Sequence, residues 1–331
     1  MRAAVQRQYG GPGVLETTGL ADPRPDRAHA VIEVRAAALN WHDVLVRRGQ
    51  YGSPLPHVPG ADGAGVDSET GAEVVVLPSL RWGDEESAPG PDWEILGDRR
   101  HGTYAEKVRV PRDCVFPKPA ALTWAQAAAL PLVGLTTYRA LFARGRLRAG
   151  ESLLVLGAGG GVATMAVSLA AAAGAHVAVT SSSDAKIAGA AELGALGGVR
   201  YDRQGWVEAA VAMSPGRRGF DVVLDPVGSW ADALAAVRTG GRLVVLGASR
   251  GESVTLAVRP FYFGQYDLLG TTMGSARDFE GLLRLRAERE VPPPVIDRVF
   301  PLERAAAAHE YLESGRGFGK IVLSAEAEGN A

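Results

Sequence analysis

The sequence predicts an α/β protein: a doubly wound parallel sheet inserted into a β-rich unit. Three observations predict it. A glycine-rich turn, Gly157-Ala158-Gly159-Gly160-Gly161-Val162-Ala163, joins an apolar run at 153–156 to the helix-forming residues 165–170. From Glu151 onward, strand-like and helix-like segments alternate, the rhythm of a parallel sheet with helices on both faces. The turn also lies near the middle of 331 residues, so a separate unit precedes it, and a chain of this length can fill two cores.

The first third reads as short strands divided by turns. Residues 30–35 and 72–77 are β-like runs, punctuated by Gly11-Pro12-Gly13 and Pro54-Leu55-Pro56. Residues 79–100 are polar and without period, which predicts a long loop. Thr123 followed by Gln126 is a capping-box pattern opening a helix. The strands expected next are 153–156, 177–180, 199–201, 220–224, 243–246 and 268–269, as many as a doubly wound dinucleotide fold uses. After Pro292-Pro293-Pro294 come a strand at 295–299, a helix at 302–312 and a last strand at 320–323. The nucleotide sheet is already full, so this tail is expected to return to the first unit. The predicted division is 1–122 with 292–331, and 123–291 between them.

Composition excludes several partners. Hydrophobic residues make up 47% and charged residues 22%, with a net charge of −2, so nothing favours nucleic acid or an acidic membrane. Cys114 is the only cysteine, which rules out an intramolecular disulfide and fits a reducing compartment. It has no evident base partner, and is read as inert. Residues 1–7 are too polar for a signal peptide. The alanine-rich stretch 162–180 contains Gly174 and His176, and reads as helix, turn and strand rather than a membrane span. A cytoplasmic protein without membrane partners is expected.

A glycine turn opening a helix holds a pyrophosphate through free backbone N–H groups and the positive end of the helix dipole. The strict G-x-G-x-x-G pattern fails here, since its third glycine would fall at Val162. The spacing Gly157-x-x-Gly160-x-x-Ala163 fits, with alanine where helix meets strand. Gly157, Gly160, Gly161 and Val162 are the expected cradle. The second strand then ends in Ser181, Ser182 and Ser183, followed by Lys186, with no carboxylate at its tip. Hydroxyl donors and an ammonium suit a ribose 2′-phosphate, to which Tyr201 at the end of the next strand can add its hydroxyl. NADPH is therefore expected over NADH. Asp184 argues the other way, and a serine-rich helix cap beside a solvated lysine is the plain alternative. Thr136 and Thr137 follow the crossover into the nucleotide unit, while Gly247, Ala248, Thr271, Thr272 and Met273 follow the fifth and sixth strands at the edge where such sheets bind ligands.

Five further motifs carry a resemblance. They are Ala38-Leu39-Asn40-Trp41-His42-Asp43-Val44, residues 58–65 (VPGADGAG), residues 101–106 (HGTYAE), residues 129–138 (ALPLVGLTTY) and Gly319-Lys320-Ile321-Val322-Leu323. In this order and along essentially the whole chain, the sequence resembles the medium-chain dehydrogenase/reductase superfamily, in its zinc-free quinone oxidoreductase and enoyl reductase branch. The resemblance implies a Rossmann domain inserted into a chaperonin-10-like (GroES-like) catalytic domain, and a homodimer.

Zinc relatives hold a catalytic metal through cysteine and histidine. The matching positions here are Asn40, Ala61 and Leu132, and no metal is expected. Without a Lewis acid, conjugate reduction asks less than reduction of a simple ketone, because the charge spreads into an enolate that hydrogen-bond donors can hold. The substrate expected is a small apolar enone, with a quinone as the alternative. An NADPH-binding protein without useful turnover is a third reading. Tyr51 resembles a proton donor or oxyanion partner of related reductases, or serves as an aromatic lid. Asn40 resembles an asparagine near the nicotinamide ribose, or caps its loop. His42 stands where zinc relatives carry a proton-relay hydroxyl, or is structural. Trp41, Trp82, Trp93, Phe261, Tyr262 and Phe263 are candidates for an apolar wall, although such residues are more often core.

Overall fold

A computed structural model describes residues 1–325. The chain forms two compact units: Met1–Val133 with Gly274–Phe279 and Pro293–Ala331, and Gly134–Met273 with Glu280–Pro292. The expected boundary at 122/123 therefore moves to 133/134. The helix opened by Thr123 packs on strands of the first unit, which keeps it there.

The elements of the first unit, in chain order, are β1 (Arg2–Gln6), β2 (Leu15–Gly19), β3 (His29–Ala38), α1 (Trp41–Arg47), β4 (Asp62–Asp67), β5 (Glu73–Val76), β6 (Ser79–Leu80), β7 (Glu94–Ile95), β8 (Lys107–Pro111), β9 (Val115–Pro117) and α2 (Trp124–Ala128). α3 (Pro131–Tyr138) then leads into the second unit. That unit contains β10 (Ser152–Val155), α4 (Gly161–Ala172), β11 (His176–Ser181), α5 (Asp184–Glu192), β12 (Gly197–Arg200), α6 (Trp206–Met213), β13 (Phe220–Asp225), α7 (Trp230–Ala236), β14 (Val237–Val245), α8 (Val258–Phe263), β15 (Asp267–Gly270) and most of α9 (Ala276–Glu288). β16 (Ile296–Pro301), α10 (Ala305–Glu313) and β17 (Lys320–Ser324) complete the first unit.

The nucleotide sheet has six parallel strands in the order β12-β11-β10-β13-β14-β15, reversing beside β10. Its centre is apolar because both faces are covered. Leu153, Leu154 and Val155 are fully buried, each contributing roughly 1.5–3 kcal/mol. Helix α4 buries Ala163 through Ala170, its small residues allowing close approach to the sheet. Leu154, Leu156, Phe220, Val223 and Leu243 anchor the core on one face.

In the first unit the tail returns as expected, and β17 lies between β16 and β3. β3 is ten residues long because both edges are used: β4 and β17 pair along its C-terminal part, and β8 along its start. Gly65 on β4 faces the bulge in β3. A Cβ there would lie 2.1 Å from the Glu33 carbonyl oxygen, so no other residue fits. The predicted loop 79–100 contains a short ribbon, β6 with β7, braced by Trp82 and Trp93 packed edge to face at 6.0 Å. Among the described residues no helix is long and apolar enough to cross a membrane.

Candidate functional site

The glycine turn leads from β10 into α4. Gly157 adopts φ +111° with no atom within 4 Å of a Cβ position, and its N–H donates to Thr180 Oγ1 at 3.1 Å. Gly160 is the N-cap of α4, so Gly161 and Val162 form its first turn and present N–H groups the helix cannot use. A Cβ on Gly159 would lie 2.7 Å from Lys186 Cδ. The lysine stem from the second βα turn therefore lies against the glycine turn from the first.

The β11 tip is organised by hydroxyls. Ser181 Oγ accepts from the Ser183 N–H at 3.1 Å, and Ser183 caps α5 by accepting from the Lys186 N–H at 3.4 Å. Tyr201, beyond β12, donates to Ser182 Oγ at 3.2 Å. The residues expected around a 2′-phosphate are thus brought together. Asp184 pairs with Arg200 at 3.0 Å, and Arg200 also holds Asp202 at 2.6 Å, so both carboxylates share one cation. Arg250 was not foreseen. Its guanidinium lies 4.7 Å from the centre of the Tyr201 ring, and its backbone N–H is held by Val227 O at 2.9 Å. A lone arginine in a loop after a strand gives no signal in the sequence.

The loops after β13 and β14 interlock. A Cβ on Gly247 would stand 2.1 Å from the Pro226 carbonyl oxygen, and the exposed Ala248 follows. Asp225 accepts from the N–H groups of Val227 and Gly228, both at 2.8 Å. Thr136 Oγ1 meets Met273 Sδ at 3.7 Å, and Met273 adopts φ +42°. The buried Oγ1 atoms of Thr137 and Thr271 have no partner among the described residues. Glycine space, a free helix start and the unpartnered Thr271 hydroxyl at the carboxyl ends of these strands, with the Thr137 hydroxyl on α3, fit a dinucleotide.

In the first unit the catalytic candidates lie on and beside α1: Asn40 is its N-cap, His42 is in its first turn and Tyr51 is in the turn that follows it. His42 and Tyr51 are in ring contact, centroids 4.6 Å apart. Burial pushes His42 down to about 4, and its buried Nε2 has no partner among the described residues, so the imidazole is neutral at pH 7. Tyr51 is 46% exposed, and partial burial together with the charge of Asp98 raises its pKa. The phenol stays protonated. Asp98 was not foreseen either. Burial pushes it up to about 6 against the pull of Arg99, and its Oδ1 is buried without a partner among the described residues.

Asn40 is held differently. Its amide hydrogens go to Asp62 Oδ2 at 2.9 Å and Ala38 O at 3.3 Å, and its Oδ1 accepts from Lys320 Nζ at 2.5 Å. Behind α1 runs a buried chain: Arg47 to His309 at 3.0 Å, His309 to Tyr104 at 3.3 Å, and Tyr104 to Asp43 at 3.0 Å. Asp43 also accepts from Asn40 N–H at 2.7 Å and Ala61 N–H at 3.2 Å.

Of the aromatic candidates, Trp82 and Trp93 donate their indole N–H groups to Glu85 O and Ser79 Oγ within the β6–β7 lobe. Trp41 is 44% exposed at the start of α1. Tyr262 and Phe263 lie exposed on α8. Burial pushes the Cys114 thiol up, in keeping with inertness. Asn40, Ala61 and Leu132, where zinc relatives have ligands, offer an amide, a methyl and an isobutyl group. This set does not fit zinc.

Residues 26–120 match the family described as alcohol dehydrogenase GroES-like domain, and residues 161–288 the family described as zinc-binding dehydrogenase. The 2-methylene-furan-3-one reductase of Solanum lycopersicum is 34% identical over 332 residues, covering 98% of this chain and 79% of that protein. The quinone oxidoreductase of Mus musculus is 31% identical over 336 residues, covering 98% and 97%. A solved structure of an NAD-dependent alcohol dehydrogenase is 38% identical with a TM-score of 0.93, covering 98% of this chain and 100% of that one. The protein is thus an oxidoreductase of a nicotinamide-dependent family. The reversing six-stranded sheet, the glycine turn opening α4 and these matches make the chain a member of the medium-chain dehydrogenase/reductase superfamily, in its quinone oxidoreductase and enoyl reductase branch.

Proposed function

We propose that the protein is a zinc-independent, NADPH-dependent reductase of the activated C=C bond of a small apolar enone, and that it works as a homodimer. One observation carries the reading: the positions matching metal ligands hold no metal-binding side chain, which leaves hydrogen-bond donors to meet developing negative charge. Such donors suffice where charge is delocalised over an enolate. The bound nicotinamide supplies the hydride.

The chain's own residues have the following roles. Gly157, Gly160, Gly161 and Val162 bind the pyrophosphate through backbone N–H groups. Ser181, Ser182, Ser183, Lys186 and Tyr201 recognise the 2′-phosphate, with Arg250 behind the Tyr201 ring. Thr136, Gly247, Ala248, Thr271 and Met273 line the remainder of the cofactor site. Tyr51 donates its phenolic hydrogen to the substrate carbonyl oxygen. His42 stays uncharged beside it and orients the ring.

The name of the mouse relative favours quinone reduction as a second reading. Product analysis after incubation with NADPH separates the readings. A saturated ketone supports the proposal, and a hydroquinone with no turnover of enones supports the second reading. An alcohol from a simple ketone, or activity lost on chelation, would overturn both. Calorimetry with NADPH and NADH tests the cofactor, and tighter binding of NADH removes the 2′-phosphate assignment.

A further inference from the structure

Three segments of the first unit meet on one carboxylate. Asp62, fully buried at the head of β4, accepts from the Asn40 amide through Oδ2 at 2.9 Å and from the Leu132 N–H through Oδ1 at 2.7 Å. Lys320, 4% exposed at the start of β17, completes the group. Its ammonium lies 3.1 Å from Asp62 Oδ2 and 2.5 Å from Asn40 Oδ1. Asn40 and Leu132 match two of the metal-ligand positions of zinc relatives, and Ala61, the neighbour of Asp62, matches the third. Segments that a metal would gather are gathered here by an ion pair.

The chemistry also fixes a direction. An ammonium only donates and a carboxylate only accepts, so the Asn40 amide has one orientation: Oδ1 toward Lys320 and Nδ2 toward Asp62. Reversing it would set N–H against N–H and oxygen against oxygen. A buried ion pair gives little stability beyond an apolar pair of similar volume, so its consequence here is orientation.

We propose that Asp62 and Lys320 are positioning residues for the reaction, joining the Asn40, Ala61 and Leu132 segments and fixing the Asn40 amide in one orientation. The inference rests on the reductase reading above and on the resemblance of Asn40 to an asparagine near the nicotinamide ribose. Lys320→Met leaves Asp62 buried and unpaired, so the test also uses the charge-balanced double variant K320M/D62N and the conservative Lys320→Arg.

In the folded double variant, kcat with NADPH and an enone is expected to fall roughly 10- to 100-fold, the scale of a misplacement near 1 Å. The KM for the enone and the Kd for NADPH should stay within about threefold, and K320R should recover most of kcat. A folded double variant with kcat within about twofold of the parent overturns the proposal, as does a loss confined to NADPH binding. If the parent protein reduces neither enones nor quinones, the reductase reading falls by itself. The positioning role is then read from the nicotinamide fluorescence of bound NADPH: a spectrum changed in the double variant and restored in K320R supports it, and identical spectra overturn it.

Discussion

Tyr51 and His42 were both legible as polar residues near the start of the catalytic unit, and burial gives them different work. His42 is neutral at pH 7 because burial holds it near 4, which under the proposed function leaves Tyr51 as the donor of the pair. Tyr51→Phe should lower kcat by about 10²-fold with NADPH affinity unchanged, and steady-state rates alongside a cofactor titration check it. His309 makes a second test. It is fully buried, and desolvation followed by the Arg47 charge pushes it down to about 3. An unfolded histidine titrates near 6.5, so between about pH 6.5 and pH 3 the unfolded chain binds a proton that the native state refuses. This contribution is whole above pH 6.5 and is lost as the pH falls. Asp43, pushed up to about 7 by burial, acts in the opposite sense, so the comparison must be between variant and parent. His309→Gln should shift the slope of stability against pH between 6 and 4 by up to ~1.4 kcal/mol per pH unit, toward less loss of stability on acidification, seen in urea titrations at several pH values. Equal slopes would refute it.

At the scale of elements, the strands with strong local signals were readable and the borrowed ones were not. β10, β11 and β13 each carry a short apolar run, at 153–155, 177–179 and 222–224, that is fully or nearly fully buried, and the glycine turn marks the following helix. The Thr123–Gln126 capping box is present as read. β12, with the sequence Gly197-Gly198-Val199-Arg200, extends two residues earlier than expected because β11 supplies its hydrogen bonds. β6 and β7 are two residues each and exist through one another. Gly247 shows the same dependence. Nothing local requires glycine there, but the chain after β13 leaves no space for a Cβ. Gly247→Ala should destabilise the nucleotide unit by roughly 1–3 kcal/mol, measured as a lower denaturant midpoint with unchanged m.

For the whole molecule, the returning tail is the decisive connection. β17 inserts between β16 and β3, and α10 brings His309 and Glu313 to Arg47, with Arg47 and Glu313 paired at 2.6 Å. Removing residues 293–331 would expose an edge of β3 and strip Lys320 and His309 from buried partners. The truncated chain should lose protection of β3 and β4 from hydrogen exchange while β10, β11 and β13 remain protected. Uniform protection of both sheets would contradict this.

The sequence by itself determined the α/β class, the inserted parallel sheet, the glycine turn that opens α4 and the absence of metal-binding side chains at Asn40, Ala61 and Leu132. Each depends on residue type and spacing within a short segment, where backbone freedom and hydrophobic period act locally. The tertiary structure alone decided that Arg250 stacks on Tyr201, that Asp98 stands near Tyr51, and that Lys320 closes on Asn40 across 280 residues. Those pairings join a charged side chain to a neutral one far apart in the chain, and only the folded chain brings them within reach.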